Sequence, residues 1–451
     1  MTDADTLAAR DHRHLWHPFT QMADWLREEP LVIAEAEGCT LVDTHGRRYL
    51  DGVSSLWCNV HGHRHPALDA ALRDQLGRVA HTTLLGLGNV PSIELAHALV
   101  QVVPRGLTRV FYSDAGATAV EAALRIALQY HQLRGDGART RFASLVEAYH
   151  GDTLGAVGVG YSETFHHFLG PAVTPAVRLT PPHVFRWVRG MDPEAALAAA
   201  LDDAERTLAM HGATLAAVIV EPLVQGAAGM WIHPPAYLHA LHALARRHGT
   251  LLIADEVATG FGRTGRMFAC GHADVTPDIL CVAKGISGGY LPLAATLTTE
   301  AVFEAFLAPY EEFKAFFHGH TYTGNPLACA VGLASLRLFS EERTLERLGP
   351  KIARLRERLA TDFAPLPNVG DIRQQGAMVG IEVVADRQTR APYPPSARIG
   401  QRVARAARER GVIVRPLGNV IVLMPPLAIA PAELDRLLDV TREAIVVATR
   451  S

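Results

Sequence analysis

Between about residues 105 and 300 the chain alternates short runs that are apolar throughout with longer stretches where apolar side chains recur every three or four positions. The short runs are TRVFYS (108–113), FASLVE (142–147), LAAVIVEP (215–222), TLLIADEV (250–257), DILCVA (278–283) and LAATLTT (293–299), and each predicts a strand. TRVFYS leads through the loop DAGA into TAVEAALRIALQYHQLRG, which places Ala119, Val120, Ala123, Leu124, Ala127 and Leu128 on one helical face. YLHALHALARRHG (237–249) predicts another helix, closed by a glycine as a C-terminus should be. Strands without a polar face, joined by helices, imply a mostly parallel sheet covered on both sides, which is an α/β fold.

Residues 1–60 lack this rhythm. After about residue 330, helical patterns over roughly 326–364 (with a break) and 396–410 flank the short strands AMVGIEVV and NVIVLMP. The expected organisation is a large central domain over 66–328 and a small α/β domain assembled from both chain ends, 1–65 and 329–451.

At 451 residues, 49% apolar and 20% charged, the chain has the balance of a globular protein with a large core. A net charge of −3 gives no electrostatic case for nucleic acid or an anionic membrane. No apolar run approaches the ~18 residues of a spanning helix, and the first residues show no secretory apolar stretch. Five cysteines without C-x-x-C spacing suit reduced thiols in the cytoplasm.

Only three of the 43 basic residues are lysines: Lys284, Lys314 and Lys351. Lys284 closes the apolar run DILCVA, where a desolvated amine can lose its proton and act as a nucleophile; an arginine cannot. Asp255 closes the preceding strand, so neighbouring parallel strands would bring both residues to one sheet edge, where α/β folds build their sites. A lysine and a carboxylate on one edge suit pyridoxal phosphate (PLP): the amine forms a Schiff base, and the acid keeps the pyridine nitrogen protonated. SDAGATAVEAAL supplies a helix N-terminus for the phosphate, and Tyr149 in AYHGDT an aromatic plate for the ring. Gly260, Gly262 and Gly265 spell a dinucleotide fingerprint, but ADEVAT separates it from its strand and RTGRMFACGH is a poor helix, so the nicotinamide reading fails on context.

With these residues in place the chain resembles the fold-type I, class III (ω-amino acid) aminotransferases through SDAGATAVEAAL, YHGDT, DEVATGFGRTG, AKGISGG and TYTGNPLACA. HLWHPFTQM, SSLWCNVHGHRHP, HGHTYTGNPLAC and VRPLGNVIVLMPP narrow the resemblance to a biotin-pathway branch. That implies 8-amino-7-oxononanoate as acceptor with S-adenosyl-L-methionine as amino donor; the sequence leaves lysine open as the donor, and the alternative is a general ω-aminotransferase using pyruvate or 2-oxoglutarate. The resemblance implies Lys284 as the Schiff-base lysine, Asp255 as partner of the pyridine nitrogen, and Gly116 and Ala117 as phosphate binders through their amides. It also implies an obligate homodimer with shared active sites, His320 and Thr321 completing the phosphate site from the neighbouring subunit. Tyr149 would stack on the ring and face substrate, Trp57, Gly319 and Phe19 would line the substrate pocket, and Arg415 would bind a carboxylate. Asp152 would help to receive an amine. Two positions depart from the family pattern. Ala117 replaces a frequent serine, a loss that Thr118 is expected to offset, and Phe19 replaces a frequent tyrosine.

The run HGHRHP contains no carboxylate to complete a metal site, and the resemblance implies that His61, His63 and His65 are pocket-wall and turn residues. Glu256 is expected as an ion-pair residue on the far face of its strand, and Trp231 and Trp16 as core or interface aromatics. For Arg263 the reading is divided between structuring its loop and touching the substrate region.

Overall fold

A computed structural model describes residues 6–188 and 190–450. Its centre is a seven-stranded sheet in the order Leu107–Ser113, Ala294–Thr299, Ile279–Val282, Leu251–Asp255, Leu215–Val220, Arg141–Leu145, Val177–Leu179. Every neighbouring pair from Ile279–Val282 to Val177–Leu179 is parallel. Ala294–Thr299 runs antiparallel to both of its neighbours. The sheet is mostly parallel and covered on both faces, and all residues of Leu215–Val220, Leu251–Asp255 and Ile279–Val282 are buried. Helix Gly116–Leu133 packs on one face with Ala119, Val120, Ala123, Leu124 and Ala127 buried. Helix Pro235–Arg247 covers the other through Tyr237, Leu238, Leu241 and Leu244, and Gly249 just beyond it takes φ +63°.

The two chain ends meet in smaller sheets. Ile33–Glu37, Thr40–Asp43 and Arg48–Asp51 form an antiparallel meander, and Val412–Ile413 joins its edge with Val412 opposite Leu50. Val369–Gln375, Met378–Asp386, Val420–Leu423 and Arg415–Leu417 form a second antiparallel sheet, extended by Ala391–Pro392. Helices Ile399–Glu409 and Pro431–Thr449 cover it, burying Val403, Leu437 and Ile445 against Leu50, Ile381 and Ile421. Each such side chain contributes roughly 1.5–3 kcal/mol by leaving water.

Helix Pro326–Glu341 starts with Pro326 in its first turn and the Asn325 side chain capping the amide of Ala328. It runs through the expected 328/329 domain boundary, and Ala328, Cys329, Leu336 and Phe339 pack in the core of the large sheet. Among the described residues no helix is long and apolar enough to cross a membrane.

Candidate active site

All strands of the large sheet except the antiparallel Ala294–Thr299 end on one edge, and the residues at and just beyond those ends line a cavity of about 1290 Å³. Asp114–Ala117 come after Leu107–Ser113, Tyr149–Thr153 after Arg141–Leu145, Glu221 after Leu215–Val220 and Lys284 after Ile279–Val282, while Asp255 ends its own strand. Asp255 pairs in register with Cys281, so the carboxylate and the lysine three residues further on share this edge.

Lys284 leaves its strand with φ +46° and opens a 3₁₀ turn, a conformation that costs a non-glycine residue energy and marks a constrained position. Its Nζ lies 4.9 Å from the centroid of the Trp57 ring and makes no hydrogen bond or ion pair among the described residues. Burial pushes the amine below its usual range, against the pull of Asp255 and Glu221. Asp255 is held from two sides: Oδ2 faces His150 Nδ1 at 2.8 Å, and Oδ1 accepts from the Val257 amide at 3.0 Å. His150 Nε2 is buried without a partner among the described residues. Neither His150 nor Glu221 stood out in the sequence. Glu221 accepts from the amides of Tyr149 (3.1 Å) and Gly226 (2.9 Å), and burial pushes it up to about 7. Its only sequence signal is its place at the end of a buried strand.

Gly116 opens its helix with Ala117, and both line the cavity. A Cβ at Gly116 would stand 2.7 Å from Val257 Cγ1, so only glycine fits the approach. Thr118 does not offset the missing serine. Its hydroxyl donates to the Ala115 carbonyl at 2.8 Å and accepts from the Ala115 amide at 3.0 Å, which caps the helix, and Thr118 is absent from the cavity wall. An unpartnered lysine amine, an anchored carboxylate and an open helix N-terminus on one edge are what PLP requires, and the residues present fit it.

Tyr149 donates its hydroxyl to Asp152 Oδ2 at 2.7 Å, and both line the cavity. Burial, then the hydrogen bond to Asp152, pushes the phenol up. Trp57, Phe19, Trp16 and Phe165 form an aromatic flank, with the rings of Phe19 and Phe165 edge-to-face at 5.8 Å. Arg415 also lines the cavity, half-buried and with no carboxylate in ion-pair range among the described residues; burial pushes its guanidinium down. Gly319, His320 and Thr321 lie outside this cavity wall, and His320 Nδ1 faces Asp114 of the same chain at 2.8 Å.

Other expectations need correction. None of His61, His63 and His65 lines the cavity. His61 Nε2 faces the Ser335 carbonyl at 3.1 Å, His63 Nε2 faces Asp51 at 3.0 Å and His65 Nε2 faces Glu342 at 2.9 Å, so folding gives two of the three rings a carboxylate from outside the run. Glu256 accepts from the amides of Ala269 (2.6 Å) and Cys270 (2.8 Å) in place of a cation. Arg263 is buried and does not line the cavity; it structures its surroundings, donating to the carbonyls of Pro425 (2.6 Å) and Asn59 (2.8 Å). Trp231 is buried beside His183, whereas Trp16 is exposed at the cavity. The glycines at 260, 262 and 265 sit in a turn with no helix behind it, only the short 3₁₀ segment Ala269–His272.

Comparison with known proteins agrees with this geometry. The family model Aminotransferase class-III matches residues 22–445. The chain is 58% identical to an adenosylmethionine-8-amino-7-oxononanoate aminotransferase of Nitratidesulfovibrio vulgaris, over 98% of this chain and 82% of that one. It superposes on the crystal structure of an adenosylmethionine-8-amino-7-oxononanoate aminotransferase from Methanocaldococcus jannaschii with a TM-score of 0.93 and 44% identity, covering 98% of both chains. An omega transaminase from Pseudomonas jessenii in complex with PMP gives a TM-score of 0.94 at 30% identity, over 99% of this chain and 98% of that one. Matched over nearly its whole length by the family model and by relatives well above 30% identity, the chain belongs to the PLP-dependent class-III aminotransferases.

Proposed function

We propose that this enzyme moves an amino group from S-adenosyl-L-methionine to 8-amino-7-oxononanoate, giving 7,8-diaminononanoate for biotin biosynthesis. The observation that carries the reading is one cavity holding a lysine amine and an arginine, neither paired among the described residues, beside an aromatic flank. A sulfonium nucleoside suits the faces of Trp57, Phe19 and Trp16, and the carboxylate of a long aliphatic keto acid suits Arg415. The names of the relatives at 58% and 49% identity support the same pair of substrates.

PLP supplies an aldehyde that takes up the amine and a ring that accepts the electrons of a deprotonated carbon. The chain does the rest. Gly116 and Ala117 would hold the phosphate by their amides, and Asp255, oriented by His150 and the Val257 amide, would hold a proton on the pyridine nitrogen. Lys284 Nζ, which burial pushes below its usual range, removes the proton from the amine-bearing carbon of the donor and in the second half-reaction delivers one to the acceptor carbon. Tyr149, tied to Asp152, packs over the reacting centre, while Trp57 and Phe19 narrow the space open to water.

We further propose a homodimer located in the cytoplasm. The position of Gly319, His320 and Thr321 outside their own cavity supports their service to a partner's site, and exposed Tyr310, Phe313, Phe317 and Tyr322 give that segment an apolar face to bury. The five free thiols suit a reducing compartment. A panel of donors and acceptors on purified enzyme tests the activity: 8-amino-7-oxononanoate should be aminated from S-adenosyl-L-methionine. Turnover with pyruvate or 2-oxoglutarate, and none with 8-amino-7-oxononanoate, would overturn the reading.

A further inference from the structure

The turn that carries Trp57 is strained. Ser54, Ser55 and Trp57 take φ +52°, +59° and +64°, three left-handed residues out of four and none of them glycine. Such a turn persists only where its surroundings over-determine it. Asp51, fully buried just before the turn, is the group that does so. Its Oδ1 accepts from the Val53 amide at 3.1 Å and its Oδ2 from the Ser55 amide at 2.8 Å. The side chain on the far side of that carboxylate is His63, whose Nε2 stands 3.0 Å from Oδ2. Asn59 Nδ2 faces His63 Nδ1 at 3.0 Å, and because a carboxylate only accepts, Nε2 is the ring atom that donates to Asp51. The backbone of His63 is fixed in turn by a two-way bridge to Gly38, with N–H···O distances of 2.7 and 3.0 Å. A final tie runs from Ser54 Oγ to the Met424 carbonyl at 2.6 Å.

We propose that His63 and Asp51 form a positioning pair that holds the strained Ser54–Trp57 turn and thereby sets the Trp57 ring against Lys284. Neither His63 nor Asp51 lines the cavity, so the pair acts on substrate only through Trp57. The ring itself packs in a buried cluster with Leu223, Val224, Met230 and Met424, and a Cβ at Gly226 would come within 3.1 Å of it, so its place follows that of the turn. A rotation of the turn therefore moves the indole into or out of the space above the lysine amine. With the imidazole removed, one oxygen of a buried carboxylate loses its side-chain donor, and the turn can relax toward ordinary backbone angles.

This inference rests on the reading that Trp57 flanks the amino donor, and a double-mutant cycle separates the two. The assay is the single-turnover loss of the visible absorbance of holoenzyme as S-adenosyl-L-methionine is added. His63→Phe should raise the half-saturating donor concentration roughly tenfold, the scale of one lost buried hydrogen bond, with the cofactor dissociation constant unchanged. His63→Gln, whose amide can still donate to Asp51, should restore most of the loss. In a Trp57→Ala background His63→Phe should add nothing, because its route to substrate is gone. Additive losses in that background would overturn the pair while leaving Trp57 at the substrate. A silent Trp57→Ala would remove the reading on which the pair depends. Parallel losses of melting temperature, cofactor affinity and both half-reactions would make His63 a structural residue only. If His63→Phe yields no holoenzyme, Asn59→Ala, which removes only the donor orienting the imidazole, runs the same cycle.

Discussion

Arg415→Ala separates the two substrates. The guanidinium is half-buried in the cavity wall, unpaired among the described residues, and on the strand Arg415–Leu417 whose register against Val420–Leu423 fixes its place. A charged hydrogen bond of this kind contributes about 1.5–3 kcal/mol, which is roughly a 10- to 150-fold change in an equilibrium constant. Water reaches half of this side chain and screens part of the interaction, so the lower end, about 10- to 30-fold, is the expectation. Both substrates carry a carboxylate, but the effect should fall chiefly on the acceptor half-reaction, since the donor's carboxylate comes with a sulfonium that a guanidinium repels. Enzyme converted to its aminated form and mixed with 8-amino-7-oxononanoate reports that half alone, through recovery of visible absorbance. Enzyme mixed with S-adenosyl-L-methionine reports the other. An unchanged acceptor half-reaction would refute the assignment of Arg415. Equal losses in both halves would mean that it clamps a carboxylate common to both substrates.

Lys284→Ala should abolish the visible absorbance of the enzyme, and borohydride reduction of the parent should label Lys284; a label on Lys314 or Lys351 would refute its role. Ala117→Ser should tighten the cofactor about 2- to 10-fold by returning a hydroxyl to the cradle, read by titration of apoenzyme. Thr118→Val should instead cost about 1 kcal/mol of stability through the lost cap, read in denaturant, and leave cofactor affinity near its original value. His233 is buried, and burial, outweighing a hydrogen bond to the Glu221 backbone, pushes it from 6.5 down to about 4. The unfolded chain thus takes up this proton before the folded one does, so the contribution of His233 is complete above pH 6.5 and falls toward pH 4 by about 3 kcal/mol. His233→Phe should flatten the melting temperature between pH 6.5 and 4, and an unchanged profile would refute the assignment.

Lys284 and Asp255 were legible because both close apolar runs, and a strand's end is written locally in its own residues. The helix face through Ala119, Val120, Ala123, Leu124 and Ala127 was legible for the same reason: a period of 3.6 is a local property. Strand direction was not. Ala294–Thr299 is buried on both faces like its parallel neighbours, so its composition carries no mark of running the other way. Partners were the least legible of all. His61 meets Ser335 across 274 positions, and His150 meets Asp255 across 105, because strand order and helix packing choose which loops share an edge. Thr118 shows the same limit within a single turn. Its hydroxyl could serve the cradle or the cap by sequence alone, and the backbone angles of Ala115 gave it to the cap. Sequence periodicity determines which residues reach the sheet edge; the three-dimensional packing alone decides which polar atoms there find a partner and which stay free for a ligand.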